Sequence, residues 1–216
     1  MMHHPIVIGV TGASGAVYAR RLLEVLLAAG HRVQLVMSRA GAQVWSHELG
    51  VPLPLDELAP QTLRLDLPPG DLERLEWYAN DDFFAPPASG AAPSSGMVVV
   101  PCSGDTLSAV AHGAAGNLIR RAAEVHLKER RPLILVPRDT PLSLVAIRNM
   151  ERAVEAGAVM LPAAPGWYHG VKSLDDLVDF IVARILTQLG VPQRLIPAWG
   201  TQPPTPNPQP PAPRLR

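Results

Sequence analysis

The chain is expected to fold as an α/β domain, a parallel sheet covered by helices on both faces. Three observations predict it. A short β-rich run, Ile6–Val10, ends in a glycine-rich loop and gives way to a helical pattern. Strand-like and helix-like segments then alternate along the chain, as they do where parallel strands are joined by crossover helices. Met97–Pro101 is apolar without interruption, as a strand buried on both faces should be.

Taken in order, residues Ala16–Ala29 put Leu22, Leu23, Leu26 and Leu27 on one helical stripe, and Gly30 stands where a helix ends on glycine. Arg32–Met37 alternates as a second strand, and Ala40–Leu49 can form a second helix. From Gly50 to Gly96 the pattern is less regular, with many prolines, scattered acids and the aromatics Trp77, Tyr78, Phe83 and Phe84. After the Met97–Pro101 strand, a helical pattern runs from Thr106 to about Glu129. Pro132–Pro137 reads as a strand, Leu142–Ala156 as a helix and Ala158–Leu161 as a fifth strand. Beyond the loop Pro162–Lys172, Ser173 is placed to cap a final helix through Leu189, with Asp175 and Asp176 complementing the dipole of its first turn. The expected whole is a single Rossmann/flavodoxin-like domain over residues 1–200. Residues 201–216 hold seven of the 24 prolines and are expected to form a disordered tail.

Composition narrows the classes of function. Nineteen basic residues balance nineteen acidic ones, so no overall field draws the chain to nucleic acid or to an anionic membrane. An anionic ligand needs a local site. The apolar runs fall well short of the roughly 20 residues of a membrane helix, and the N-terminus lacks a signal-peptide pattern, so a soluble, cytoplasmic protein is expected. The single cysteine, Cys102, forms no internal disulfide and fits a reducing compartment; at a strand end it reads as a small core residue. No Cys/His spacing resembles a metal site.

The loop Gly9-Val10-Thr11-Gly12-Ala13-Ser14-Gly15-Ala16 lies between a strand and a helix. Backbone amides at such a helix start point outward unpaired, the dipole favours negative charge, and small residues let a phosphate approach. The plainer reading is a tight turn packing helix on strand. The spacing is G-x-x-G-x-x-G rather than the G-x-G-x-x-G of dinucleotide folds. An NAD site also wants an acid after the second strand, where this chain has Ser38-Arg39. Arg39 could meet the 2′-phosphate of NADP, and Tyr168-His-Gly-Val-Lys172 matches the Tyr-x-x-x-Lys pair of short-chain reductases. The glycines and prolines around that pair argue against the helix it needs. A second turn, Pro101-Cys102-Ser103-Gly104-Asp105-Thr106, is again hydroxyl-rich between strand and helix. Ser103 and Thr106 could donate to a ligand or merely cap the helix. In a parallel sheet two such turns can face one crevice.

These segments carry a family resemblance. Thr11-Gly-Ala-Ser-Gly-Ala16, Ala85-Pro-Pro-Ala-Ser-Gly90, Pro101-Cys-Ser103, Asn117-Leu-Ile, Leu127-Lys-Glu-Arg-Arg-Pro-Leu133, Leu135-Val-Pro-Arg138, Asn149-Met150, Leu161-Pro-Ala-Ala-Pro-Gly166 and Asp176-Leu-Val-Asp-Phe180 occur in this order. From residue 5 to about 200 the chain resembles the UbiX-type flavin prenyltransferases. The resemblance implies transfer of a dimethylallyl group from dimethylallyl phosphate to N5 and C6 of reduced FMN. It implies a metal-independent enzyme, a homododecamer with active sites between subunits, and delivery of the prenylated FMN to UbiD-type decarboxylases.

By the same resemblance, Gly12, Ala13, Ser14, Ser38, Ser103, Gly104, Asp105, Thr106 and Arg138 fall on FMN-binding positions. Tyr168 and Arg184 match the positions that hold the prenyl phosphate, and Arg121 and Lys128 match further phosphate-facing ones. On the residues alone, Arg121 and Lys128 read rather as part of a solvated basic patch with Arg120, Arg130 and Arg131. Glu48 matches the active-site glutamate, implied to handle protons near flavin N5 and the departing phosphate, and Ser14 to assist proton removal. Asp139 stands where relatives often carry Glu, one methylene longer. Phe83 stands where relatives tend to place Trp, and Trp199 is placed to close over the site; ring faces stabilise an allylic cation. Two other readings use the same flavin: a flavin-dependent cysteine decarboxylase, and a non-catalytic FMN carrier that would tolerate loss of Glu48.

Overall fold

The computed structural model describes residues 4–54 and 58–197. Its strands are β1 (Ile6–Val10), β2 (Val33–Met37), β3 (Leu75–Tyr78), β4 (Gly96–Cys102), β5 (Leu133–Pro137) and β6 (Val159–Met160). All pair in parallel, in the spatial order β3-β2-β1-β4-β5-β6. The helices are α1 (Ala16–Ala28), α2 (Arg39–Leu49), the single turn α3 (Pro69–Leu72), α4 (Gly104–Ala111), α5 (Leu118–Lys128), α6 (Leu144–Glu155) and α7 (Leu174–Gln188).

Side chains of a strand alternate between faces, and β1 divides its residues accordingly. Ile6, Ile8 and Val10 join the core beneath α1, α2 and α7, with Leu22, Leu26, Trp45, Ile181 and Ile185. Val7 joins the opposite core, with Met97, Leu107, Ile119 and Ala153 of β4, α4, α5 and α6. Both faces are therefore covered, as the apolar runs anticipate. Strand order runs outward in opposite directions from β1 and β4. The loops after these two strands consequently open side by side at the carboxyl edge of the sheet, the place where such folds bind ligands.

Caps fix the helix limits. Gly30 ends α1 at a φ of 82°. Ser173 caps α7: its hydroxyl accepts from Asp176 N, and the Ser173 amide in turn donates to the Asp176 carboxylate. Two elements differ from expectation. β3 lies inside the irregular stretch; it is four residues long, at the sheet edge, and carries a charged Glu76, so it leaves little periodic signal. The helical pattern from Thr106 to Glu129 is two helices, α4 and α5, broken where Gly113 takes a φ of 67° and Asn117 caps the second. No helix among the described residues is long and apolar enough to cross a membrane.

Candidate active site

Thr11 joins the two loops at the carboxyl edge. Its hydroxyl donates to Pro101 O at 2.7 Å and accepts from Ser103 N at 2.8 Å, and it is almost wholly buried. The crevice is thus one structure with two walls. Ser103 caps α4, its Oγ accepting from Thr106 N at 3.3 Å and donating to Thr106 Oγ1 at 3.1 Å. Ser38 caps α2 in the same way through Gly41 N. Glycine is required at position 12 because α2 begins against it: a Cβ there would stand 2.6 Å from Ala40 Cβ.

Glu48 reaches this crevice from the last turn of α2. Its carboxylate accepts from Gly15 N at 3.0 and 3.2 Å and from Ala16 N at 2.8 Å. The expectation that amides at the start of α1 point outward unpaired is therefore corrected for these two. The chain supplies its own anion to the positive end of α1. Gly12, Ala13 and Ser14 contribute amides without such a partner among the described residues. Burial pushes the Glu48 carboxyl up. The Ser14 hydroxyl, the Gly15 and Ala16 amides and the Arg138 charge together outweigh burial and hold it below the usual carboxylate value. Arg138 extends from the end of β5, and its Nε donates to Ser14 O at 3.2 Å. Ser14, Glu48 and Arg138, 124 residues apart at their extremes, form one cluster.

The donor set suits FMN. It comprises unpartnered amides on a loop of small residues, the hydroxyls of Ser14 and Ser38, and the exposed Arg138 guanidinium beside a carboxylate able to accept a proton. Asp105, in the first turn of α4, is exposed and paired with Arg120. Asp139 is exposed and turned back to Thr140 N at 3.0 Å.

The remaining candidates stand on two other parts of the surface. Arg121 donates to Ala88 O at 3.1 Å and pairs with Glu124, which ties α5 to the Ala85–Gly90 segment. Lys128, at the end of α5, lies 3.6 Å from Glu129. Phe83 is exposed on the loop leading into that segment. Arg184 is exposed on α7 and lines a depression of about 260 Å³ with Val159, Leu161, Pro162 and Phe180 along the β6 edge. Tyr168 packs edge-on against Phe180 there, ring centroids 5.6 Å apart. Trp199 and the proline-rich tail lie outside the described residues. A single chain thus presents three clusters: Ser14, Glu48 and Arg138; Arg121 and Lys128; Tyr168 and Arg184.

Other readings lose their support. Tyr168 and Lys172 lie in the loop before α7, not one turn apart on a helix. Cys102 is buried, and burial pushes its thiol to about 12, so it does not supply a thiolate. His126 is buried as well: its Nδ1 donates to Ala122 O, which fixes Nε2 as the acceptor for Ser94 Oγ. Two residues escaped the sequence reading as individual site members. Thr11 is visible only as part of the glycine loop. Tyr18, whose ring lies against Gly15, carries no motif of its own.

Residues 1–186 match the family model described as Flavoprotein. The chain is 48% identical over 197 residues to the flavin prenyltransferase UbiX of Pseudomonas aeruginosa, covering 91% of this chain and 94% of that one. It is 42% identical over 200 residues to the UbiX of Halalkalibacterium halodurans, covering 90% and 93%. Among solved structures, AnUbiX in complex with FMN and dimethylallyl pyrophosphate aligns with a TM-score of 0.79 at 33% identity, over 93% of this chain and all of that one. A dodecameric FMN-dependent UbiX-like decarboxylase from Escherichia coli aligns with a TM-score of 0.77 at 32% identity, over 90% and 98%. The FMN-dependent cysteine decarboxylase TvaF, 17% identical with a TM-score of 0.57, shares the fold alone. The sheet order, the paired loops at its carboxyl edge and these similarities agree, and the chain belongs to the flavoprotein family and, within it, to the UbiX-type flavin prenyltransferases.

Proposed function

We propose that this protein joins the dimethylallyl group of dimethylallyl phosphate to N5 and C6 of reduced FMN, over a domain spanning residues 1–200. The observation that carries the proposal is the Glu48 carboxylate seated on the Gly15 and Ala16 amides beside Ser14 and Arg138. It lies at the crevice between β1 and β4 in a chain 48% identical to a flavin prenyltransferase. Bound FMN supplies the nucleophilic ring atoms. Gly12, Ala13, Ser14, Ser38, Ser103, Gly104, Asp105, Thr106 and Arg138 hold it, the amides and hydroxyls on its phosphate side and Arg138 as the cation.

Glu48 is the proton acceptor at N5. Held ionised by the Gly15 and Ala16 amides, it can take a proton and return it readily to the departing phosphate. Ser14 assists proton removal at ring closure. When the C–O bond of the donor breaks, its electron pair leaves on phosphate; Tyr168, Arg184, Arg121 and Lys128 grip that growing charge, which is the work of fixed cations and donors. Phe83 and Trp199 shield the allylic group, and Asp139 sits beside Arg138 as a relay through water. The three clusters belong to neighbouring copies, completed in a homododecamer. The product passes to a UbiD-type decarboxylase in the cytoplasm.

The test is anaerobic incubation of the protein with reduced FMN and dimethylallyl phosphate, followed by mass spectrometry of the flavin. A gain of one prenyl unit is expected. Unchanged flavin on a protein that demonstrably holds FMN would overturn the proposal, and a protein that stays colourless with FMN would remove its basis.

A further inference from the structure

We infer that Tyr18 is a positioning residue for the Glu48 carboxylate, its ring holding Gly15 in the backbone conformation that turns the Gly15 and Ala16 amides onto Glu48. This deepens the proposed function, since it rests on Glu48 as the group that handles protons.

Gly15 has a φ of 120°, open to glycine and rarely adopted by residues with a side chain, and the same freedom lets glycine leave that conformation unless its neighbours hold it. The enforcing neighbours are identifiable. A Cβ at Gly15 would stand 3.0 Å from Tyr18 Cδ2, 3.2 Å from Tyr18 Cε2 and 3.7 Å from Pro101 Cβ. The edge of the phenol ring therefore covers the side of Gly15 on which a Cβ would project, and Pro101 of β4 borders the same space. Tyr18 N also donates to Gly15 O at 3.1 Å, so ring and backbone hold the same residue from opposite ends. Gly15 N donates to both Glu48 oxygens and Ala16 N to one of them, so the peptides on either side of Gly15 present their N–H groups to Glu48.

Electrostatics also relate Tyr18 to the same cluster. Burial pushes the phenol above its ordinary value while the positive charge of Arg138 pulls it back, which puts the guanidinium within electrostatic reach of the ring. Arg138 in turn bonds the carbonyl of Ser14, the residue before Gly15. Tyr18 thus packs on Gly15, which donates to Glu48 and follows the Ser14 that Arg138 holds. The planar edge of the ring is what this packing requires, because it borders the space that a Cβ at Gly15 would enter and a branched aliphatic side chain at position 18 presents no such edge there.

Three full-length variants test this: Tyr18→Phe, Tyr18→Leu and Tyr18→Ala. The Glu48 carboxyl is titrated directly by infrared difference spectroscopy, with Glu48→Gln as the blank, alongside FMN affinity and prenylation kinetics. Phe is expected to keep the wild-type titration and kcat within about twofold. Ala and Leu are expected to move the Glu48 titration up towards the ordinary carboxylate value. In both, kcat falls about tenfold or more while FMN affinity changes little, since a small misplacement costs rate rather than binding. An Ala variant with wild-type Glu48 titration and kcat would overturn the inference. If Ala does not fold, the Phe and Leu pair decides: Leu equal to Phe means simple packing and overturns it as well. Failure of the wild-type protein to prenylate FMN would bring down the proposed function, yet the carboxyl titration would still report on Tyr18.

Discussion

A carboxylate that accepts from two backbone N–H groups at a helix start stays ionised until the medium is more acidic than an ordinary glutamate requires. Glu48 is such a group, and the residue scale is where its role is tested. Glu48→Gln keeps the shape and one carbonyl acceptor but cannot take a proton; FMN binding is expected to survive while kcat falls about a hundredfold or more. Full turnover in that variant, measured by mass spectrometry of the flavin, contradicts the assignment. Because the folded value of Glu48 is depressed, its contribution to stability is present above the ordinary carboxylate value and is lost as pH falls through the folded one. Arg184→Ala makes a different prediction. Its KM for dimethylallyl phosphate should rise about tenfold or more as one charge-assisted contact is lost, with FMN affinity nearly constant. A loss confined to FMN affinity would mean that Arg184 faces the flavin instead.

Elements set where these side chains can stand. Ser103 and Ser173 are both N-caps, of α4 and α7, and removing either hydroxyl should cost about 1 kcal/mol in thermal or urea melts. They differ in consequence. Ser103→Ala also frees Thr106 and disturbs the wall of the crevice, so flavin affinity should fall with stability; Ser173→Ala should lose stability alone. Equal flavin loss in the two variants would place the flavin away from α4. Most elements were legible in the sequence, because α1, α2, α6 and α7 carry apolar stripes and end on caps or glycine. β3 was not, since four edge residues with one charge, Leu75–Tyr78, lack a period long enough to recognise. The break between α4 and α5 escaped for the opposite reason: the apolar pattern continues across it, and only Gly113 and the Asn117 cap mark the interruption.

The whole molecule adds what no element carries. His126 of α5 is 1% exposed, bonded to Ala122 O and Ser94 Oγ, and burial drives it to about 4 from an ordinary 6.5. Between these values the unfolded chain binds more protons than the folded one. Stability is therefore fully present above pH 6.5 and declines towards pH 4, by about 3 kcal/mol across that window. Urea titrations at fixed protein concentration should display this slope, and His126→Gln should flatten it; an unchanged slope assigns the acid lability elsewhere. The three clusters also make an assembly-level prediction. Mixed oligomers of Glu48→Gln and Arg184→Ala chains should regain part of the activity that each lacks alone, because intact groups can meet across copies. No recovery after verified subunit exchange would place both groups in one chain's site.

From sequence alone came the alternation of strands and helices, the two small-residue turns, the family, and the residue types that an anionic flavin and a departing phosphate require. These are local or motif-borne signals, written within a few residues of one another. Folding decided that Thr11 clamps the two turns together, that Glu48 rather than a free ligand meets the amides of Gly15 and Ala16, and that Arg138 closes on Ser14. Those partners lie 92, 33 and 124 residues apart. Contacts at such separations have no periodicity to betray them; they exist only because the parallel sheet carries the ends of β1, β4 and β5 to one edge, where α1 begins and α2 ends.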